Sequence, residues 1–470
     1  MSELKSAATA LGTERIRKLL VQYAVPAVIA MTASSLYNMV DSIFIGQQVG
    51  PMAISGLALT FPLMNLAAAF GALVGVGAAT LISMRLGQRD YETAQRVLGN
   101  VVVLNTILGI SFAAVALAFL DPILYFFGGS AATVGYAHEY MTIILAGNVV
   151  THMYLGLNSV LRAAGHPRKS MYATINTVVI NTLLDALFIY GFGWGIRGAA
   201  IATVLAQVIS LVWQFRILSD RSELLHFRRG IYRLRGRIVR DIVAIGMSPF
   251  LMNLAACFIV ILINKGLHRY GGDLMIGAYG IVNRLAFFFV MIVIGVNQGM
   301  QPIAGYNFGA RQYDRVLRVL RLTIIGATCI TTSGFLIGEL APRLAASLFT
   351  RDGELIALAA TGMRIVFVAF PIIGFQMVST NFFQSIGMAG KAVFLSLSRQ
   401  LLFLVPGLLL LPGLFESSTS WGGSWGVWCA MPLSDFLSAV VTFFMLTAQL
   451  RKFRAMMAQH AALNASHDGK

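Results

Sequence analysis

Two aspartates, Asp41 and Asp185, lie deep within apolar stretches of the first half of the chain. An ionised aspartate at the centre of a bilayer costs about 2.5–3.5 kcal/mol on insertion scales, so such an acid usually faces a cavity and has a function. Tyr37 lies four residues before Asp41, on the same helical face. Asn181 stands in the same relation to Asp185. Two carboxylates in one low-dielectric space resist ionising together, which would let one of them take up and release a proton near neutral pH.

Further oxygen-bearing side chains of the same half could complete a pocket around the two acids. Asp41, Asn181, Asp185 and Thr203 supply the hard oxygen ligands that suit a cation such as Na+. The residue types leave H+ and Na+ both open. The other candidate pocket and gating positions are Pro26, Tyr37, Tyr140, Asn158 and Gln207. A lone Asn or Thr in such a span is more often a packing group satisfied by its neighbours, but the insertion cost disfavours that interpretation for a pair of acids.

The elements that must position these residues are membrane-spanning helices. Hydrophobic residues make up 57% of the chain and charged residues 11%, against about 45–50% and 25% in soluble proteins. We predict twelve spans, and place Tyr140 and Asn158 five turns apart on the fourth. The spans cover 19–47, 52–84, 97–120, 136–163, 171–192 and 198–218 in the first half, and 240–267, 275–305, 317–339, 356–386, 392–412 and 425–449 in the second.

The sequence supports neither catalysis nor nucleotide binding. It contains no GxxxxGK[ST] phosphate-binding loop, no nucleophile–base pair and no His/Cys/carboxylate cluster with metalloenzyme spacing. Its three cysteines, Cys257, Cys329 and Cys429, are far apart within apolar runs and are interpreted as small hydrophobic fillers. We therefore expect no enzyme activity, no cofactor beyond the coupling ion, and no nucleic-acid partner despite a net charge of +16. The first eighteen residues lack the apolar core of a signal peptide, so the first span should act as the insertion signal.

The basic residues predict the orientation in the membrane. Most of the 35 lysines and arginines fall in segments that share one side when the spans are threaded in order. Eight arginines lie between Arg216 and Arg240 alone. The positive-inside rule places these segments and both termini in the cytoplasm. We expect a multi-pass protein of the cytoplasmic (inner) membrane.

The two halves of the chain repeat each other. GQRDYETAQRVL begins at Gly87 and GARQYDRVLRVL begins 222 residues later, at Gly309. Gly165 and Gly387 share this spacing. Because each half has an even number of spans, the repeats are parallel, and such repeats commonly flank a central substrate path. We predict an all-α fold with two six-helix lobes around a central cavity, residues 1–218 and 240–470, joined by a cytoplasmic linker over 219–239.

The deep acids belong to the first half alone. A spacing of 223 residues carries Asp41 onto Asn264, so ion coupling is expected only in the amino-terminal lobe. Within the second half, Asn264, Lys265, Arg284 and Gln298 are candidates for a polar cavity wall, although the two bases could instead be anchors that snorkel to the interface. Asp435 is expected nearer the end of its span, in an interfacial or structural role.

The chain as a whole resembles the multidrug and toxic compound extrusion (MATE) family. The resemblance runs from about Ile16 to Arg454, and its most specific parts are VPAV…LYNMVDSIFIGQQVG and GAYGIVNR…GVNQGMQPIAGYNFGARQYDRV. It implies cation-driven export of organic, often cationic and lipophilic, compounds through a V-shaped pair of lobes. It also implies ion residues at Asp41, Asn181, Asp185 and Thr203. The carboxylate site that some branches use in the second lobe is expected to be absent, since Asn264 and Lys265 occupy the corresponding span.

The expected function is secondary antiport. We expect a monomer in the lipid bilayer that exports small organic molecules while H+ or Na+ flows inward through the amino-terminal lobe. The alternative is a flippase of a lipid-linked precursor. Its mark would be a strongly basic central cavity, whereas intramembrane bases occur here only in the second half.

Overall fold

The computed structural model describes residues 4–49, 51–127, 129–418 and 422–468. Within these ranges, the side chains at 4–8, 37–43, 46, 47, 51, 52, 54, 55, 58, 273, 417, 418 and 460–468 lie outside the description. The described residues form helices joined by short turns and contain no strand. The all-α prediction is therefore confirmed.

The first half of the chain contains nine helices in the described ranges. They are α1 (Leu4–Thr13), α2 (Ile16–Gln48), α3 (Pro51–Gly87), α4 (Tyr91–Ala118), α5 (Leu120–Phe126), α6 (Val134–Ala146), α7 (Asn148–Ala163), α8 (Pro167–Asp185) and α9 (Gly195–Leu218). Pro167 suits the first position of α8, where a backbone N–H would have no partner within the helix. A π-helical segment, Ala186–Gly191, continues α8 directly after Asp185.

The second half contains α10 (Gly236–Gly309), α11 (Tyr313–Leu340), α12 (Pro342–Ser347), α13 (Gly353–Phe367), α14 (Phe370–Ser385), α15 (Ala389–Leu397), α16 (Val405–Ser418) and α17 (Gly423–Asp468). Helix α10 consists of two spans, because Gly272 interrupts it with a φ of 68°. That left-handed conformation suits glycine, which has no Cβ. A π-helical segment, Ser398–Leu404, joins α15 to α16.

The number of spans agrees with the sequence prediction once bent helices are counted as pairs. Ten helical stretches of the described chain are long and apolar enough to cross a membrane. Two further spans are bent pairs: α6 and α7 meet at 56°, and α13 and α14 meet at 51°. Counting each pair as one span gives up to 12 spans. The fourth predicted span is thus not straight, which changes the relation between Tyr140 and Asn158.

The internal repeat is visible in the backbone of the basic loops. Arg89 and Arg311 have φ values of 61° and 58°, and Gly165 and Gly387 have φ values of 100° and 75°. In all four loops the next residue donates its N–H to the carbonyl five residues earlier, as Asp90 does to Arg85. This is the bond that closes a helix with a left-handed residue after its last turn. The 222-residue spacing therefore carries the same turn in both halves.

The buried apolar residues show how the two lobes are arranged. One cluster combines residues of both halves, among them Leu86, Leu161, Ile303, Leu320 and Phe453, and it lies at the end that carries the basic loops. At the opposite end the core is split into two clusters. One contains residues of the first half only, from Ile45 to Ala200, and the other residues of the second half only, from Ile259 to Ala430. The lobes are joined at the basic end and separate at the other.

Small residues allow the lobes to approach closely where they join. A Cβ at Gly77 of α3 would overlap the carbonyl oxygen of Ile242 in α10. The repeat-related Gly299 of α10 lies equally close to Ala24 of α2. Nearby, the amide of Gln301 donates to the hydroxyl of Thr80 across the same interface, at 2.8 Å. Close backbone approach of this kind is the usual way in which helices pack within a membrane.

The segment between the halves packs on the amino-terminal lobe. Gln95 of α4 exchanges hydrogen bonds with the main chain of His226. Asn100 donates to the carbonyl of Arg233 and accepts from the N–H of Arg235, each at 3.2 Å. These bonds fix the segment from 219 to 235 to α4, whereas the exact lobe boundaries remain a prediction.

Candidate functional site

Helix α8 brings Asn181 and Asp185 to one buried face inside the amino-terminal lobe. Asn181 is 2% exposed and Asp185 is fully buried. The amide of Asn181 donates to the hydroxyl of Thr203 on α9, at 3.3 Å. The amide oxygen of Asn181 is buried and has no hydrogen-bond partner among the residues that the structure describes. An acceptor of this kind is available for a proton donor or a cation.

Helix α2, which carries Asp41, packs along α8. The rings of Phe44 on α2 and Tyr190 beyond α8 are in edge contact, with centroids 5.5 Å apart. Because both helices start from the basic end, this contact puts the backbone of Asp41 at the level of residues 185–187. The side chains of Asp41 and Tyr37 lie outside the described part of the structure.

The remaining predicted pocket residues are distributed over three levels of the lobe. Tyr140 belongs to the apolar cluster at the end away from the basic loops. Asn158 lies near the basic end, where it donates to Thr174 and accepts from Ser170. The expectation that one straight helix carries both is wrong, because Gly147 separates α6 from α7.

The other two predicted pocket positions have partners of their own. Gln207 accepts a hydrogen bond from Thr151, at 2.5 Å, and does not bond Asn181 or Asp185 in the described contacts. Pro26 is a buried residue inside α2. It lies two residues after Ala24, which touches Gly299 of the other lobe. It therefore sits beside the interface between the lobes.

A series of hydrogen-bonded polar side chains runs along α8 from the basic end towards Asp185. Arg162 donates to Ser170 at 3.2 Å, and Ser170 donates to Asn158 at 2.7 Å. Further along α8, Thr177 donates to Ser210 of α9 at 2.6 Å. The spacing of three or four residues keeps these groups on one helical face. The sequence contained this signal, but we had singled out only Asn158, Asn181 and Asp185 from it.

The four residues predicted for a cavity wall of the carboxy-terminal lobe do not form one cluster. Lys265 and Arg284 are exposed, and Asn264 is half-buried. Gln298 donates to the sulfur of Met31 on α2, at 3.5 Å, so it lies at the junction of the lobes. No described hydrogen bond joins any two of the four.

The carboxy-terminal lobe contains an ion pair that sequence reasoning missed. Arg399 donates to the carboxylate of Asp435 at 2.5 Å, and the Asp435 side chain is only 5% exposed. The expectation that Asp435 lies near the end of its span is wrong, since it is twelve residues inside α17. Ser434 also donates to the carbonyl of Arg399, within the π-helical segment. Opposite charges in two consecutive spans were the signal that could have revealed the pair.

The oxygen atoms at Asn181, Asp185 and Thr203 are of the type that binds Na+, and a buried carboxylate can equally hold a proton. The described residues contain no group of three or more His, Cys, Asp or Glu side chains placed to hold a metal ion. The donor set thus fits a weakly held monovalent ion or a proton rather than a structural transition metal.

Comparison with known proteins agrees with this architecture. The MatE family model matches residues 26–187 and 248–409, two stretches separated by the same 222 residues as the sequence repeat. The multidrug export protein MepA of Staphylococcus haemolyticus is 26% identical over 435 residues, covering 92% of this chain and 93% of that protein. The protein of the same name from Staphylococcus aureus is 25% identical, covering 92% and 94%.

Solved structures have the same fold. An outward-facing multidrug resistance MATE family transporter of the MOP superfamily superposes with a TM-score of 0.88 at 25% identity, over 95% of this chain and 99% of the other. A MATE structure in a bent conformation superposes with a TM-score of 0.89 at 24% identity, over 96% and 99%. The two family matches together span more than half of the sequence and fall one in each lobe. The chain therefore belongs to the MatE family and is a membrane transporter, not an enzyme.

Proposed function

We propose that this transporter is a secondary antiporter, which exports small organic compounds while H+ or Na+ moves inward through the amino-terminal lobe. The observation that carries the proposal is the buried face of α8, where Asp185 is fully buried and Asn181 holds an unpartnered acceptor oxygen. A carboxylate in this environment is costly unless it binds an ion or a proton. The backbone of Asp41 lies at the same depth on the adjoining helix.

The split core supports alternating access. The lobes share one apolar cluster at the basic end and have separate clusters at the other end. If the basic end is cytoplasmic, as the positive-inside rule indicates, this conformation is closed to the cytoplasm and open outward. In it, the ion enters from outside and the organic compound leaves. Ion binding at Asp185 changes the packing of α8 against α2, and α2 carries that change to the interface beside Pro26.

The substrate class follows from the relatives and from the membrane setting. The curated relatives are named as multidrug export proteins. A lipophilic, cationic compound suits an exporter of this design, because such compounds accumulate in the bilayer and enter cells readily. No described cluster of bases lines the space between the lobes in the way that a carrier of a polyanionic lipid precursor would require.

The decisive experiment uses the purified protein in proteoliposomes. Efflux of a fluorescent organic cation is measured under a proton gradient and, separately, a sodium gradient. We expect Asp185→Asn to insert and fold yet lose gradient-driven efflux, while Glu416→Gln, which neutralises an exposed acid, keeps it. Gradient-driven efflux by a correctly inserted Asp185→Asn variant at the parental rate would overturn the proposal. Absence of efflux by the parent under either gradient would do the same.

A further inference from the structure

A cavity of about 430 Å³ opens at the basic end of the amino-terminal lobe, away from the interface between the lobes. Its walls are the first turn of α8, the last turns of α9 and the start of the inter-lobe segment. The lining residues are Lys169, Trp213, Arg216, Ile217, Asp220 and Glu223. The cavity is remote from Asp185, and neither the transport proposal nor the family relationship assigns it a role.

One of the two acids in the cavity is already neutralised. Glu223 accepts from Lys169 at 2.5 Å and contacts His166 at 2.7 Å. Partial burial alone would raise the pKa of Glu223, but the hydrogen bond from Lys169 and the charges of His166 and Lys169 hold that pKa below its usual value. Glu223 is therefore ionised, and its charge is balanced within the wall.

The remaining charged groups are one base and one acid that do not meet each other. Arg216 makes no hydrogen bond or ion pair with any described residue. Among the described contacts, the Asp220 carboxylate accepts only from the N–H of Ser222, and this bond lowers the pKa of Asp220. The cavity thus presents one free guanidinium and one free carboxylate on opposite sides of its mouth. A ligand that carries both a negative and a positive group would satisfy them together.

An exposed apolar stripe leads from this cavity towards the middle of the membrane. Leu205, Ile209 and Val212 are 39%, 48% and 62% exposed. Their spacing places them on one face of α9. With a rise of about 1.5 Å per residue, the stripe is roughly 10 Å long. Trp213 lies at its lower end, the position at which tryptophan commonly marks the membrane interface.

We propose that the cavity binds the headgroup of phosphatidylethanolamine, with an acyl chain of the lipid lying along the Leu205–Val212 stripe. The phosphate pairs with Arg216, and the primary ammonium donates hydrogen bonds to Asp220. Phosphatidylglycerol has no cation for Asp220, so the acid repels it. Phosphatidylcholine has a cation without N–H groups, so it cannot satisfy the carboxylate by hydrogen bonding. This site is independent of the transported compound and of the coupling ion.

The test measures lipid retention by native mass spectrometry. The protein is reconstituted in vesicles with equal parts of phosphatidylethanolamine, phosphatidylglycerol and phosphatidylcholine, extracted in mild detergent, and analysed for bound lipid. We expect the parent to retain phosphatidylethanolamine selectively. Arg216→Gln and Asp220→Asn should each reduce this retention by about tenfold or more, as expected for loss of one charge-assisted hydrogen bond. Arg229→Gln, an exposed base of the same segment, is the matched control.

Three results would overturn the inference. They are equal retention of all three lipids by the parent, preferential retention of phosphatidylglycerol, and unchanged phosphatidylethanolamine retention in both cavity variants. A final arm adds water-soluble phosphoethanolamine in excess. If the soluble compound displaces the lipid completely, the cavity is a site for a soluble metabolite and not for a membrane lipid. Melting curves of the variants, measured by circular dichroism, verify that each one is folded.

Discussion

Gly77 of α3 lies against the backbone of Ile242 in α10 so closely that a Cβ at position 77 would overlap the Ile242 carbonyl oxygen. The neighbour is backbone and cannot rotate away, so the helices themselves must separate. We predict that Gly77→Ala disfavours the conformation closed at the basic end by about 1–3 kcal/mol. Labelling of cysteines introduced near this interface from the basic side should increase. Gly280→Ala is the control, since a Cβ there meets nothing within 4 Å.

The unpartnered oxygen of Asn181 gives a second prediction. Asn181→Leu has nearly the same size but offers no acceptor beside Asp185. Gradient-driven efflux should fall by roughly tenfold or more, the equivalent of one lost polar contact worth about 1–3 kcal/mol. The matched control is Thr182→Val, because Thr182 bonds only the carbonyl of Val178 in its own helix. Equal efflux from both variants would remove Asn181 from the coupling site.

The Arg399–Asp435 pair should stabilise the carboxy-terminal lobe. Asp435→Asn leaves a guanidinium without its acid, and because Arg399 is still 34% exposed the loss should be about 1–3 kcal/mol rather than the larger cost of a wholly buried orphan charge. Thermal unfolding in detergent measures it. The double variant Arg399→Gln/Asp435→Asn should recover part of the loss. An additive double variant would mean that the two side chains do not interact.

The contact between His166 and Glu223 predicts a pH-dependent docking of the segment from 219 to 226. Burial lowers the pKa of His166 in the docked state, more than the nearby Glu223 raises it. The docked form therefore binds fewer protons, so docking weakens as the pH falls below the ordinary histidine value of 6.5. The pKa of Glu223 is also lowered, so its contribution is lost only at lower pH.

Hydrogen exchange of residues 219–226 between pH 7.5 and 5.5 provides the measurement. Protection should decrease on acidification in the parent and much less in His166→Gln. His138→Gln serves as the control, because His138 is exposed and pairs with Asp121 at the opposite end. If the parent keeps full protection at pH 5.5, the contact does not titrate as described.

The orientation in the membrane can be tested with two cysteines. Ser222 lies in the basic inter-lobe segment and Ser130 in the turn before α6, and both are exposed. A membrane-impermeant maleimide added to intact cells should label Ser130→Cys, and Ser222→Cys only after permeabilisation. Labelling of both cysteines from one side would refute the cytoplasmic assignment of the basic end.

The sequence was sufficient for the fold because its signals are strong and local. Apolar runs set the spans, and the 222-residue repeat set the two lobes, as the paired turns at Arg89 and Arg311 confirm. The bend at Gly147 was missed because a single glycine within an apolar run is also found in straight membrane helices.

The site was predicted where its residues share one helix, and missed where they come together across helices. Asn181 and Asp185 are four residues apart, so their common face follows from helical geometry. Arg399 and Asp435 meet only after the second half has packed. Gln207 has a suitable position on α9 but bonds Thr151 of α7, a choice that depends on how the helices are rotated.

The hydrogen bonds between α4 and the inter-lobe segment bear on how the protein is made. Gln95 and Asn100 secure His226, Arg233 and Arg235 before any residue of the second half is needed. The first six spans and the segment after them can therefore finish folding while the ribosome is still translating the rest. The second half would then insert beside a completed partner, and its glycines at α10 would find the matching surface of α3 already formed.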